Sequence, residues 1–159
     1  MGSDSDLPVM EEAAKALEQF DIGYELTIAS AHRSPARASA LASGARGKGV
    51  EVIIAGAGAA AHLAGVLAAE TTLPVIGVPI DSSPLKGMDA LLATVQMPGG
   101  IPVASMAIGK AGAKNAGIFA AEILSIKYPL IAEKLASYRE EMAKGVEEKG
   151  NKAGRTFSA

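Results

Sequence analysis

The run Val50-Glu51-Val52-Ile53-Ile54-Ala55 empties directly into Gly56-Ala57-Gly58 and then into a small, apolar stretch from Ala60 to Glu70. A short run of mostly β-branched side chains has the length of a strand, and its near-continuous apolarity fits a strand covered on both faces. The glycines end it, and the residues beyond predict a helix. The same pattern recurs along the chain. Tyr24 to Ala29 reads as a strand, followed by a helix from Ser34-Pro35 to about Arg46. Pro74 to Val78 reads as a strand, followed by a helix over 86–95. Pro102 to Ala107 reads as a strand weakened by its proline, followed by a helix from Ala113 to Ile126. Strands alternating with helices of this length build βαβ units and a parallel sheet. Right-handed crossovers then put every strand's C-terminal end on one edge.

The two ends of the chain add helices. Leu7, Met10, Ala14, Leu17 and Phe20 recur at helical spacing, with Ser5 or Asp6 as the cap and Pro8 in the first turn. Pro129 starts a last helix carrying Ile131, Leu135, Tyr138, Met142 and Val146 on one stripe. The residues after Gly150 are polar and small and read as a tail. The expected fold is a single three-layer α-β-α domain with a parallel, flavodoxin-like sheet and a C-terminal helix. One strand is unaccounted for. Gly2-Ser3-Asp4-Ser5-Asp6 looks like a loop that leaves a strand and opens a helix, yet no strand stands before it in the sequence. The first strand of a doubly wound sheet is usually central, so the expectation is that the natural chain begins upstream of Met1.

Composition narrows the function classes. Apolar residues make up 49% of the 159 residues and the net charge is −2, with no basic stretch, which argues against a nucleic-acid binder. The apolar runs are broken well short of the ~20 residues that span a bilayer. The N-terminus is polar, with no signal-peptide pattern. Cysteine is absent, which removes disulfides and thiolate chemistry. A cytoplasmic enzyme or binding protein fits.

The segments that follow the strands share the ligand-binding edge of such a sheet. Ser30-Ala31-His32-Arg33 carries one of only two histidines, followed directly by an arginine. Arg33 suits a phosphate bidentately, and a histidine moves protons in either direction near neutrality. The same four residues also read as a surface pair before a helix capped by Ser34. Gly2 to Asp6 offers backbone N–H groups and hydroxyls to a phosphate, with Asp6 better suited to ribose hydroxyls, or else it is an ordinary capped helix start. Gly56-Ala57-Gly58-Ala59-Ala60-Ala61 matches the dinucleotide fingerprint, with Asp81 near the spacing of a ribose-binding acid. Close helix–strand packing explains the same small residues, and so does a pocket with His62 at its rim. Gln96 to Pro102 is a defined turn that serves as a lid or a connector. No metal site is convincing, because two histidines without carboxylates at ligand spacing are too few.

Read together, these segments resemble the PurE family. Met1-Gly2-Ser3-Asp4-Ser5-Asp6, Ser30-Ala31-His32-Arg33, Ile53-Ile54-Ala55-Gly56-Ala57-Gly58, Ala60-Ala61-His62-Leu63, Leu73-Pro74-Val75-Ile76-Gly77-Val78-Pro79, the 95–103 turn and Ala113-Lys114-Asn115-Ala116-Gly117 stand in that family's order. The resemblance covers about residues 1 to 128, and the family's C-terminal helix fits 129–148. It implies one catalytic domain over 1–148 with a tail over 149–159, assembled as a homo-octamer. It implies a class I N5-carboxyaminoimidazole ribonucleotide mutase of purine (IMP) synthesis, moving a carboxylate from the exocyclic nitrogen to ring carbon C4 with no ATP, metal or organic cofactor. By the same resemblance His32 is catalytic. Ser3 and Arg33 hold the substrate phosphate, and Asp6 holds the ribose. Ser30 and Ala31 line the site, and Gly58, His62 and Leu63 cover the base and the transferred carboxyl group.

The sequence departs from the family where Ala59 replaces a glycine and Ala64 a proline, and where Ala90 and Ala93 stand at positions that are commonly serine. A positive φ at residue 59 would cost alanine about 1 kcal/mol. Three alternatives accompany the mutase reading: a carboxylase that uses free aminoimidazole ribonucleotide and CO2, a dinucleotide-binding module using Gly56 to Ala61 and Asp81, and a non-catalytic nucleotide-binding subunit, inactive because of Ala59, Ala64 or the missing first strand.

Overall fold

In the computed structural model, which describes residues 1–154, three parallel strands form a sheet in the order β1 (Ile53–Gly58), β2 (Val75–Ile80), β3 (Ala104–Ser105). The register runs from Ile53 opposite Val75 to Gly58 opposite Ile80. Six helices surround it: α1 (Leu7–Gln19), α2 (Pro35–Ala45), α3 (Leu63–Ala69), α4 (Met88–Val95), α5 (Lys110–Ser125) and α6 (Pro129–Ala153). No described helix is long and apolar enough to cross a membrane.

Both faces of the sheet are covered, as the continuous apolarity of β1 and β2 requires. On one face Ile76, Val78 and Ile80 pack with Met10, Ala13 and Leu17 of α1 and Ala113, Ala116 and Ala120 of α5. On the other, Ala55 and Val75 pack with Ala38 and Ala42 of α2 and Leu63, Ala64 and Leu67 of α3. Alanine and glycine make these layers close. A Cβ on Gly117 would stand 2.6 Å from the Ala13 carbonyl oxygen, and one on Gly112 only 1.6 Å from that of Ala107. The α6 helix is anchored on α1 and α5 through Leu135 and an edge-on contact of Phe20 with Tyr138 at 5.5 Å. It runs to Ala153, beyond the expected end at 148 and through Gly150; the rest of the expected tail, 155–159, lies outside the described residues.

The strand expected over 24–29 is extended but makes no regular ladder. A strand is defined by its partner, and among the described residues it is Met1 whose backbone pairs with this segment. Its terminal ammonium donates to the Thr27 carbonyl at 3.0 Å, and its carbonyl accepts from the Ala29 N–H at 2.9 Å. On the other side, Gly2 donates to the Gly56 carbonyl at 3.1 Å. The lateral order is therefore segment 24–29, Met1–Gly2, β1, β2, β3. This is the order of a flavodoxin-like sheet, with its topological switch point between Met1–Gly2 and β1. The β3 strand is shorter than expected because Pro102 has no N–H group for the ladder, although Met106 still donates to the Gly77 carbonyl at 2.8 Å.

Candidate functional site

At that switch point a cleft of about 320 Å3 opens at the C-terminal edge of the sheet. It is lined from three directions. Gly2, Ser3, Ser5 and Asp6 come from the N-terminal loop, Ser30, Ala31, His32 and Arg33 from the segment before α2, and Ala57, Gly58, Ala60 and Leu63 from the end of β1 and the start of α3. Eight of the nine residues singled out in the sequence line this one cavity. The ninth, His62, joins it through His32.

The N-terminal loop is a single turn of 3-10 helix, Asp4–Asp6, closed by a capping box. Ser5 donates its N–H to the Ser3 hydroxyl, while the Ser3 N–H donates to the Asp6 carboxylate at 3.0 Å. Asp6 occupies the N-cap position of α1 but makes no cap bond to it, because its carboxylate is turned back to Ser3. This carboxyl is nearly fully buried. Burial pushes its pKa above the ordinary carboxylate range, against the pull of the Ser3 and Gly2 N–H groups, the Met1 ammonium and Arg33.

The Ser30–Arg33 segment is shaped by its serines. The Ser30 N–H donates to the Ser34 hydroxyl at 2.9 Å, and that hydroxyl donates to the Ser30 carbonyl at 3.2 Å. Ser34 thus pins Ser30 and makes no side-chain cap bond to α2. The Ser30 hydroxyl accepts from the Arg33 N–H at 3.1 Å. The Arg33 guanidinium donates to the Gly2 carbonyl at 3.0 Å, which ties the two loops together and holds a fixed positive charge beside Ser3. Across the cleft, His32 Nε2 lies 2.8 Å from His62 Nδ1, with the rings edge to face at 4.9 Å. One ring must donate and the other accept, so each fixes the tautomer of the other. Both histidines are exposed at the rim.

The glycines after β1 are explained by packing. A Cβ on Gly56 would stand 2.3 Å from the Met10 sulfur, and one on Gly58 only 1.8 Å from the Ser82 hydroxyl oxygen. Ala59 has a φ of +50°, the conformation in which a glycine is favoured. Asp81, the acid of the dinucleotide alternative, is exposed after β2 and does not line the cleft. Its neighbour Ser82 does, and was missed. The signal for it was its place after β2, on the same sheet edge as the other site segments.

Fold and cleft define the class: a doubly wound α/β protein with a polar ligand cleft, flanked by a histidine pair, at its topological switch point. Comparisons with known proteins give the family. Residues 1–145 match the family model described as AIR carboxylase. The chain is 64% identical over 142 residues to the N5-carboxyaminoimidazole ribonucleotide mutase of Pyrococcus abyssi, covering 89% of this chain and 80% of that protein. It is 59% identical over 152 residues to the mutase of Thermotoga maritima, covering 96% and 88%. The crystal structure of Treponema denticola PurE superposes with a TM-score of 0.86 at 29% identity, covering 98% and 96%. The chain belongs to the AIR carboxylase family.

Proposed function

We infer that the chain is an N5-carboxyaminoimidazole ribonucleotide mutase, an isomerase of purine biosynthesis that moves the substrate's N-carboxylate to ring carbon C4. The observation that carries this reading is the cleft itself. An anion-holding end, made of Ser3, the 3-10 turn and Arg33, faces a proton-handling end made of the His32–His62 pair. A nucleotide laid between them puts its phosphate on Ser3 and Arg33 and its ribose hydroxyls on Asp6. Its base then lies against Ser30, Ala31, Gly58 and Leu63, within reach of the histidines.

The chemistry needs one proton in each direction. The C–N bond to the carboxylate breaks, CO2 leaves, and His32 delivers a proton to the nitrogen, giving the free amine. C4 then attacks CO2, forming the C–C bond, and the C4 proton returns to His32. The histidine ends as it began, so the reaction consumes no cofactor. His62, bonded to His32 Nε2, holds His32 in one tautomer and orientation. CO2 must not escape between the steps, which favours a small, water-poor pocket. The small residues at 57–61 leave room for it. The exposure of both histidines favours a cover supplied by neighbouring copies, in line with a cytoplasmic homo-octamer. The apolar side chains of Leu85, Met88, Leu92 and Val95, exposed beside the loop that carries Ser82, suit such a contact.

The test pairs a variant with a choice of substrates. His32→Asn is expected to lower turnover of the N-carboxylated nucleotide by at least a thousandfold, while product still binds within a few-fold of the parent in calorimetry. Unchanged turnover would remove His32 from the chemistry. Fast carboxylation of free aminoimidazole ribonucleotide at low bicarbonate, without turnover of the N-carboxylated compound, would replace the mutase by a carboxylase.

A further inference from the structure

One side chain in the cleft has no part in holding phosphate or ribose or in moving the proton. Ser82, from the loop after β2, lines the cleft together with Asp6, His32 and Gly58. The neighbouring hydroxyls are engaged within the protein. That of Ser3 donates to Asp4 and accepts from the Ser5 hydroxyl, and that of Ser30 accepts from the Arg33 N–H. Ser83 ties the loop to itself: its hydroxyl accepts from the Leu85 N–H at 3.1 Å and its carbonyl from the Lys86 N–H at 3.0 Å. The Ser82 hydroxyl takes part in none of these bonds.

Its place is fixed by packing. A Cβ on Gly58 would stand 1.8 Å from the Ser82 oxygen, so this hydroxyl fills the space that a side chain at 58 would take. A Cβ on Gly87 would stand 3.3 Å from the Asp81 Cα, so the turn before α4 folds back on the residue preceding Ser82. The Gly109 N–H donates to the Pro79 carbonyl at 2.9 Å and holds the end of β2. A hydroxyl positioned in this way meets a ligand without reorganisation.

The contact with Gly58 also fixes the face on which Ser82 stands. Alternate residues of a strand point the same way, and Gly56, two before Gly58, faces Met10 of α1. Ser82 is therefore on the α1 side of the sheet edge, as is Ile80 two residues before it. His32 and His62 are on the other side, just before α2 and α3. Gly58 lies between them and has no side chain to separate them. Carboxylate transfer to a planar ring uses both of its faces. CO2 meets C4 along the π orbitals, so the new C–C bond forms on one face. The C4 hydrogen is pushed toward the other face, where a base collects it.

We propose, building on the mutase reading, that Ser82 holds the transferred carboxylate, and the CO2 between the two steps, by a hydrogen bond from its hydroxyl on the ring face opposite His32. Ser82 keeps its proton throughout. It donates to a carboxylate oxygen at the start and at the end and to a CO2 oxygen in between, while His32 carries the one proton that moves. The bond strengthens as the neutral CO2 oxygen becomes a carboxylate oxygen, which favours capture by C4 over escape.

The experiment measures two affinities and one partition in Ser82→Ala, which keeps the Cβ beside Gly58. In calorimetry the 4-carboxylated product nucleotide is expected to bind about tenfold more weakly than to the parent, the worth of one hydrogen bond to a charged group. Aminoimidazole ribonucleotide lacks the carboxylate and is expected to bind as it does to the parent. With the N-carboxylated substrate, the share released as aminoimidazole ribonucleotide, above the enzyme-free background, is expected to rise severalfold. Equal weakening of both nucleotides would make Ser82 a part of the loop's architecture and overturn the proposal. So would an unchanged affinity for the product. Absence of turnover in the parent would remove the mutase reading instead, and the ratio of the two affinities would still report whether Ser82 meets the carboxylate.

Discussion

At the scale of single residues, Asp6 shows how the cleft is tuned. Its carboxylate is buried at the base of the 3-10 turn, and burial outweighs the groups that favour its charge, so its pKa lies above the ordinary value. The native state therefore holds the proton more tightly than the unfolded chain, and stability falls as pH rises through the window between the two values. This contribution is fully present below the unfolded value of about 3.9 and is gone once the pH passes the native pKa. Asp6→Asn keeps an oxygen to accept the Ser3 N–H but cannot ionise. Urea midpoints measured from pH 4 to 7 are expected to decline with pH in the parent by an increment that this variant lacks. Parallel profiles for the two proteins would show that Asp6 ionises without cost. From the sequence, Asp6 could be assigned to a loop and to a ribose. Its burial could not be read, because it arises from the return of its side chain to Ser3 instead of to the helix it precedes.

At the scale of elements, the strand–loop–helix unit of β1 and α3 was legible because its signals are local: a β-branched run, small residues, then an apolar helix face. Its boundaries were less so. The β1 strand was expected at 50–55 and lies at 53–58, because pairing with β2 begins at Ile53, while Val50 and Val52 border a cavity of about 560 Å3. The loop that follows contains a strained residue. Ala59 holds φ at +50°, where a Cβ is crowded and glycine is not. Ala59→Gly is expected to raise stability by about 1 kcal/mol, since the strain relieved exceeds the entropy that glycine adds to the unfolded chain. The substitution leaves the Gly58–Ser82 contact untouched, so turnover should hold or improve. A fall in the thermal midpoint would mean that the loop takes another conformation in solution. The fingerprint of glycines in the same loop misled in one respect. It allowed a dinucleotide, whereas Gly56 is needed for Met10 and Gly58 for Ser82, contacts made across elements that no spacing rule encodes.

At the scale of the whole molecule, the order of strands placed every candidate residue on one edge, and this was inferable because crossover handedness is nearly invariant. What covers that edge is not inferable from one chain's pattern. The α4 helix presents Met88, Leu92 and Val95, with Leu85 just before it, at exposures of 49–64%, an apolar surface of the kind that marks a contact with another molecule. It follows the loop that puts Ser82 in the cleft. In the proposed homo-octamer a copy seated on this surface would couple assembly to catalysis, because separating the copies would let water in and CO2 out. Leu92→Glu places a charge in the centre of this surface, on a side chain that touches nothing in the cleft. If the proposed homo-octamer uses this surface, light scattering is expected to show the variant in smaller species than the parent, with circular dichroism unchanged. Turnover should fall at least tenfold, with decarboxylated nucleotide released in place of product. A variant that remains octameric, or one that dissociates and keeps full turnover, would separate the surface from the chemistry and leave the histidine pair to work in the open cleft of a single chain.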